Sequence, residues 1–83
     1  MTPGSGAAET LDLRGLKCPL PALKTKKRLA GLEPGALLVV LTSDPLAVID
    51  IPHLCREDGH ALVQQERAEG YDRFTIRRDV SRV

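Results

Sequence analysis

Ala36-Leu37-Leu38-Val39-Val40-Leu41, followed after Thr42 by Ser43-Asp44-Pro45, is the stretch that decides the fold. A short continuous apolar run with β-branched members marks a strand covered on both faces or lying centrally in a sheet. The residues after it carry a helix-start signal: Asp44 is suited to the N-cap and Pro45 to the first turn. Val48, Ile51 and Cys55 share one face of the helix so predicted, which runs to about Asp58 and stops at Gly59. Pro52 lies inside that span and removes a backbone donor, so the helix either bends there or begins late.

Upstream, Pro34-Gly35 makes the turn into the strand. Before it, Ala22, Thr25, Leu29 and Leu32 recur at spacings of three and four, the buried stripe of a helix whose Lys24, Lys27 and Arg28 look outward. Pro19 reads as the first helical position, where a missing N–H costs nothing, with Cys18 just before it and a turn over Gly15 to Lys17. From Thr10, Leu11 and Leu13 alternate with Asp12 as a short first strand. Met1 to Ala8, with Pro3, Gly4, Ser5 and Gly6, has little to bury and reads as a disordered leader.

Downstream, Ala61 to Arg67 and Tyr71 to Arg77 flank Gly70 as an antiparallel hairpin. The order is β-α-β-α-β-β. The fold class expected is α+β: a two-layer α/β sandwich with a four-stranded mixed sheet and both helices on one face, a single domain over residues 9–80.

Composition narrows what such a domain can do. At 83 residues the core is thin and a deep substrate cavity has no room. Tyr71 and Phe74 are the only aromatic residues, so a base-stacking platform is excluded and direct nucleic-acid binding is not expected. No stretch approaches the ~20 apolar residues of a membrane span, and the N-terminus lacks a signal-peptide pattern, so the expected location is cytoplasmic. Two cysteines without CxxC or zinc-ligand spacing read as thiols, and no metal is expected. The net charge of +1 conceals two basic clusters, Lys24, Lys26, Lys27 and Arg28, then Arg73, Arg77, Arg78 and Arg82. The first is either a solvated helix face or a patch for an acidic protein or tRNA.

Cys18 is the candidate reactive group. A thiol is nucleophilic as thiolate, and a helix N-terminus with Arg14 and Lys17 nearby is expected to lower its pKa. Pro19 and Pro21 thin the amide cradle while stiffening it. The plainer reading is a helix cap, although cysteine caps poorly beside Ser, Thr, Asp or Asn. Cys55, on the apolar stripe, reads as a core thiol. His53 and His60 are expected to face solvent, since a Cys-His pair needs a third orienting group and a cleft. Glu57 and Asp58 read as the polar end of the helix.

The run Leu11-Asp12-Leu13-Arg14-Gly15-Leu16-Lys17-Cys18-Pro19-Leu20-Pro21 resembles the signature of the TusA/SirA family of sulfur-carrier proteins. Pro34-Gly35 before the apolar strand, and Asp44-Pro45 followed by Asp50-Ile51-Pro52 and Cys55, extend the resemblance over roughly residues 10–78. The resemblance implies the same β-α-β-α-β-β sandwich. It implies that Cys18 takes sulfane sulfur as a persulfide from a cysteine desulfurase or a rhodanese-like protein and relays it to a downstream acceptor protein. No cofactor is implied beyond that transient sulfur. The end use is thiolation of tRNA wobble uridine, molybdenum-cofactor assembly or sulfur oxidation. Ser43 departs from the tRNA-relay branch, which often has an acidic residue there. Within the motif Gly15, Pro19 and Pro21 are support residues, and Lys17, Lys24 and Lys27 are candidate docking residues. A monomer suits a shuttle. The competing reading is a non-catalytic binding or regulatory module that docks on a protein or RNA through the basic helix.

Overall fold

A computed structural model describes residues 8–79. The elements are β1 (Ala8–Asp12), α1 (Leu20–Ala30), β2 (Leu37–Thr42), α2 (Ala47–Asp58), β3 (Ala61–Ala68) and β4 (Tyr71–Arg77). They form one four-stranded sheet in the order β1-β2-β4-β3. β1 runs parallel to β2, while β4 is antiparallel to both β2 and β3. The mixed sheet and two helices are the α+β architecture expected from the sequence.

The apolar run is central in that sheet. Its burial alternates, with Leu38, Val40 and Thr42 buried and Leu37, Val39 and Leu41 half-buried. Across the β4 ladder the buried set continues through Ile76, Phe74 and Asp72. One face of the sheet is therefore covered and the other is open. Parallel pairing of β1 with β2 requires a crossover, which α1 supplies. The second crossover, from β2 through α2 to β3, steps across the sheet in the same direction. Crossovers of one hand that move the same way lay both helices on one face.

Each helix buries a narrow stripe. α1 contributes Pro21, Thr25 and Leu29, and α2 contributes Ala47, Ile51, Leu54 and Cys55. Leu29, Leu38, Val40, Ile51, Phe74 and Ile76 have no exposed surface, and each such side chain contributes about 1.5–3 kcal/mol relative to exposure. Asp72, the buried carboxylate, is paired with Arg67 at 3.0 Å.

Several boundaries differ from expectation. β1 begins at Ala8, inside the expected leader, because Ala8 to Asp12 pair with Leu37 to Leu41; residues 1–7 of that leader lie outside the described residues, as does residue 80. α1 begins at Leu20, with Pro19 at the N-cap and Pro21 in the first turn, so Pro19 is one step outside its expected place. α2 begins at Ala47 with Leu46 at its N-cap, and runs through Pro52. Val48, in the first turn, lies at the edge of the buried stripe and is 37% exposed, while Leu54 lies inside it. Pro52 withholds a donor from the carbonyl of Val48, on the solvent side, where its loss is tolerated. Gly59 ends α2 in the left-handed region at φ 80°, which a side chain would strain. β3 is one residue longer than expected and carries an irregularity between Leu62 and Gln64, leaving Val63 exposed.

Candidate functional site

Because β1 and β2 are parallel neighbours, their C-terminal ends lie side by side and the loops leaving them meet. The first loop is Leu13 to Pro19 and the second Ser43 to Leu46. Leu13 carries the β1–β2 ladder one step further by donating its N–H to the Leu41 carbonyl at 2.7 Å. The chain then turns at Gly15, whose φ of +91° favours glycine, and the Gly15 N–H donates to Ser43 Oγ at 2.8 Å.

Asp44 joins the two loops. One carboxylate oxygen accepts the Leu46 N–H at 3.1 Å, which leads the chain into α2, and the other accepts the Cys18 N–H at 2.5 Å. Its own N–H donates to Thr42 Oγ1 at 3.2 Å. The expected N-cap role is thus taken by Leu46, and Asp44 instead holds the backbone of Cys18 from 26 residues away. Cys18 is exposed, and its thiol donates to Asp50 Oδ2 at 3.4 Å. Asp50 stands in the first turn of α2, half-buried.

This surrounding reverses the expected electrostatics. The pKa of Cys18 is raised, first by the hydrogen bond to Asp50, then by partial desolvation and by the charges of Asp50 and Asp44. Two of the groups expected to lower it, Arg14 and the Leu20 N–H, are engaged elsewhere. Arg14 donates to Asp12 at 2.9 and 2.7 Å, holds that carboxyl down at about 2, and lies over the Tyr71 ring at 4.9 Å. The Leu20 N–H, a free first-turn donor in the expected cradle, is taken by the Lys17 carbonyl at 2.8 Å. Pro19 and Pro21 have no N–H to offer. At neutral pH the resting group is therefore the thiol.

The other candidate residues are placed as follows. Pro21 is buried and seats the start of α1, while Pro19 is exposed beside Cys18. Lys17, Lys24 and Lys27 are exposed and form no ion pair among the described residues. Lys26 and Arg28, from the same basic cluster, are exposed but paired, with Asp58 at 3.9 Å and Glu9 at 2.5 Å. Cys55 is 2% exposed and far from solvent chemistry, its pKa pushed up to about 11 chiefly by burial. His53 is exposed beside Glu57 at 3.6 Å. His60 departs from expectation: it is half-buried, with Nδ1 enclosed and without a hydrogen-bond partner. Among the described residues no group of three or more His, Cys, Asp or Glu side chains is placed to hold a metal ion.

Residues 9–78 match the family described as Sulfurtransferase TusA. The chain belongs to this sulfurtransferase family. Within the TusA resemblance, two Neisseria meningitidis proteins, from serogroup A strain Z2491 and serogroup B strain MC58, are each named for a sulfur carrier. Each is 46% identical over 69 residues, covering 83% of this chain and 90% of the relative. The crystal structure of the SirA-like protein from Desulfitobacterium hafniense superposes with a TM-score of 0.75 at 26% identity, covering 89% of this chain and all of that one. A TusA member thus presents the sequence-expected fold, with the Cys-Pro-Leu-Pro motif at the junction of two loops.

Sequence reasoning missed three residues of this TusA site as partners of the motif: Asp44, read as an N-cap, holds the Cys18 N–H, and two more join it. Ser43, noted as a departure, braces the Gly15 turn. Asp50, noted as part of a matching run, accepts the hydrogen bond of the thiol. The available signal was position: all three follow the strand that neighbours β1, so their loops had to converge with that of Cys18. Among the described residues no helix is long and apolar enough to cross a membrane.

Proposed function

We propose that this chain carries sulfur as a persulfide on Cys18, receiving it from one protein and giving it to another. The observation that supports the reading most is the exposed Cys18 thiol at the meeting of two loops, its N–H fixed by Asp44 and its S–H donated to Asp50. An exposed tip suits transfer between proteins; an enclosed pocket would suit chemistry on a small substrate.

The transfer balances as an exchange. A donor cysteine persulfide, R–S–SH, meets the Cys18 thiol. The Cys18 sulfur bonds to the terminal sulfur of the donor, and the bond between that sulfur and the donor cysteine breaks. The donor leaves with the electron pair as thiolate and takes the proton released by Cys18, with Asp50 as the acceptor in reach. The products are R–SH and Cys18 persulfide, with no net oxidation. Delivery is the same step reversed towards an acceptor protein. The donor is a cysteine desulfurase or a rhodanese-like protein, the acceptor sets the end product, thiolated tRNA among them, and the setting is the cytoplasm.

Intact mass after incubation with a cysteine desulfurase and L-cysteine, or with a rhodanese and thiosulfate, tests this. The wild type should gain the mass of one sulfur, reversed by dithiothreitol, and Cys18→Ser should gain none. An unchanged wild-type mass with protein and polysulfide donors alike would refute the reading.

A further inference from the structure

Two carboxylates stand at the Cys18 thiol with no cation to balance them. Of the eleven acidic side chains, seven lie against a basic side chain among the described residues. The other four are Glu33, Asp44, Asp50 and Glu69. Glu33 and Glu69 are exposed in loops, where solvent and salt screen them, whereas Asp44 and Asp50 are half-buried. The fold thus keeps its sheltered, unneutralised negative charge in one place, beside the reactive sulfur.

The framework also fixes their distance from it. Asp44 accepts the N–H of Cys18 and the N–H of Leu46, so Cys18 is tied to the chain that enters α2. Asp50 follows in the first turn of that helix, next to Ile51, which has no exposed surface and anchors the turn in the core. The contact of 3.4 Å between Cys18 Sγ and Asp50 Oδ2 is therefore set by a packed helix. In the empty carrier this contact is a hydrogen bond that the thiol donates. Loading removes the donor. Cys18 thiol and a persulfide anion R–S–S⁻ become Cys18 persulfide anion and R–SH: the bond to the terminal sulfur forms at Sγ and breaks at R, and the Cys18 proton goes to the departing R sulfur. A persulfide is more acidic than its parent thiol, so at neutral pH the terminal sulfur carries negative charge. Sγ then has no proton to offer, and a new anion stands one S–S bond away from two carboxylates.

We propose that Asp50 sets how tightly Cys18 keeps its sulfur: the carboxylate stabilises the empty thiol and repels the loaded persulfide, so the loaded carrier is poised to discharge. The proposal rests on the carrier reading, and what it adds is the balance between the two states. Only an interaction that differs between two states moves their equilibrium, and this contact is attractive in one and repulsive in the other. Asp44 adds to the repulsion but also holds the backbone of Cys18, so Asp50 is the residue whose charge can be removed alone. A carrier built this way gives up sulfur to an ordinary thiol without needing an acceptor of unusual affinity for it.

Sulfur exchange with glutathione persulfide reads this balance without a protein partner. The chain is equilibrated anaerobically at pH 7 with glutathione persulfide and glutathione in known ratio, and the loaded fraction is read by intact mass. Asp50→Asn should hold more sulfur, raising the exchange constant about fivefold, the worth of one such hydrogen bond. Asp50→Glu, which restores the charge, should stay within twofold of wild type, and so should Glu57→Gln, an exposed acid farther along α2. The wild type supplies a second measurement that needs no variant. Mixed disulfides of Cys18 with cystamine and with dithiodipropionate put a cationic and an anionic group of similar length at the loaded position. Against a neutral reference thiol, N-acetylcysteinamide, the cationic one should be favoured several-fold. An Asp50→Asn constant within twofold of wild type, with only the urea midpoint moved, would reduce Asp50 to a partner of the α2 dipole and overturn the proposal. So would an Asp50→Glu constant shifted as far as that of Asp50→Asn, or equal preference for the two disulfides; each leaves the carrier reading intact. Absence of sulfur on Cys18 from glutathione persulfide and from protein donors alike would instead defeat the carrier reading itself.

Discussion

The two cysteines of this chain are both held protonated, but by different means. Cys18 sits at the exposed end where α1 and α2 begin, and its pKa is raised first by a hydrogen bond to one carboxylate. Cys55 sits beneath α2 against the core, and burial pushes its pKa up to about 11. A hydrogen bond to a half-buried side chain is broken by a small local movement, such as a partner's cation drawing Asp50 away. Burial is relieved only by unfolding. The same direction of shift therefore describes a thiol restrained until contact in one place and a thiol retired from chemistry in the other.

The sharpest way to break the comparison is to exchange the roles. Cys18→Ser should abolish sulfur loading completely while leaving thermal stability within about 0.5 kcal/mol, as for an exposed site. Cys55→Ala should do the converse, keeping loading and losing on the order of 1 kcal/mol in urea unfolding. Any loading on Cys55 in the Cys18→Ser protein would dissolve the distinction. Next in size, Asp50→Asn removes the anionic acceptor, so the Cys18 pKa should fall and iodoacetamide should alkylate it several-fold faster at pH 7. An unchanged rate would mean that Asp50 does not restrain the thiol. The smallest effect is on pH stability. The Cys55 pKa in the folded chain lies above the ordinary thiol value of about 8.5, so its contribution to stability is intact below that value. It should be lost as pH rises through about 11, and Cys55→Ala should flatten this part of the alkaline profile.

Local pattern made much of this legible. The apolar run at Ala36 to Leu41 announced a central strand because six consecutive apolar residues cannot all face water, and Gly59 and Gly70 closed their elements where glycine alone is unstrained. Cys55 was readable as core for the same reason, a stripe at helical spacing. The environment of Cys18 was not. Its pKa depends on Asp44 and Asp50, 26 and 32 residues away, and on Arg14 preferring Asp12 and Tyr71 to the thiol. Strand order fixes those meetings, and no local spacing encodes it. Val48 failed for a subtler reason: the buried face of α2 centres on Ala47, Ile51, Leu54 and Cys55, which leaves Val48 at its edge.

The single exposed tip also sets the tempo of traffic. Cys18 is exposed at a single loop junction, so on the proposed carrier reading a protein that is unloading it occupies the very place that the next protein must reach. Both cannot be seated together, and each delivery waits for a departure. With association near 10^6 M⁻¹s⁻¹, a complex of about 1 µM affinity parts in roughly one second, and one of about 1 nM in roughly a quarter of an hour. Throughput therefore favours loose handshakes, and a variant engineered to grip its donor more tightly should move less sulfur per minute.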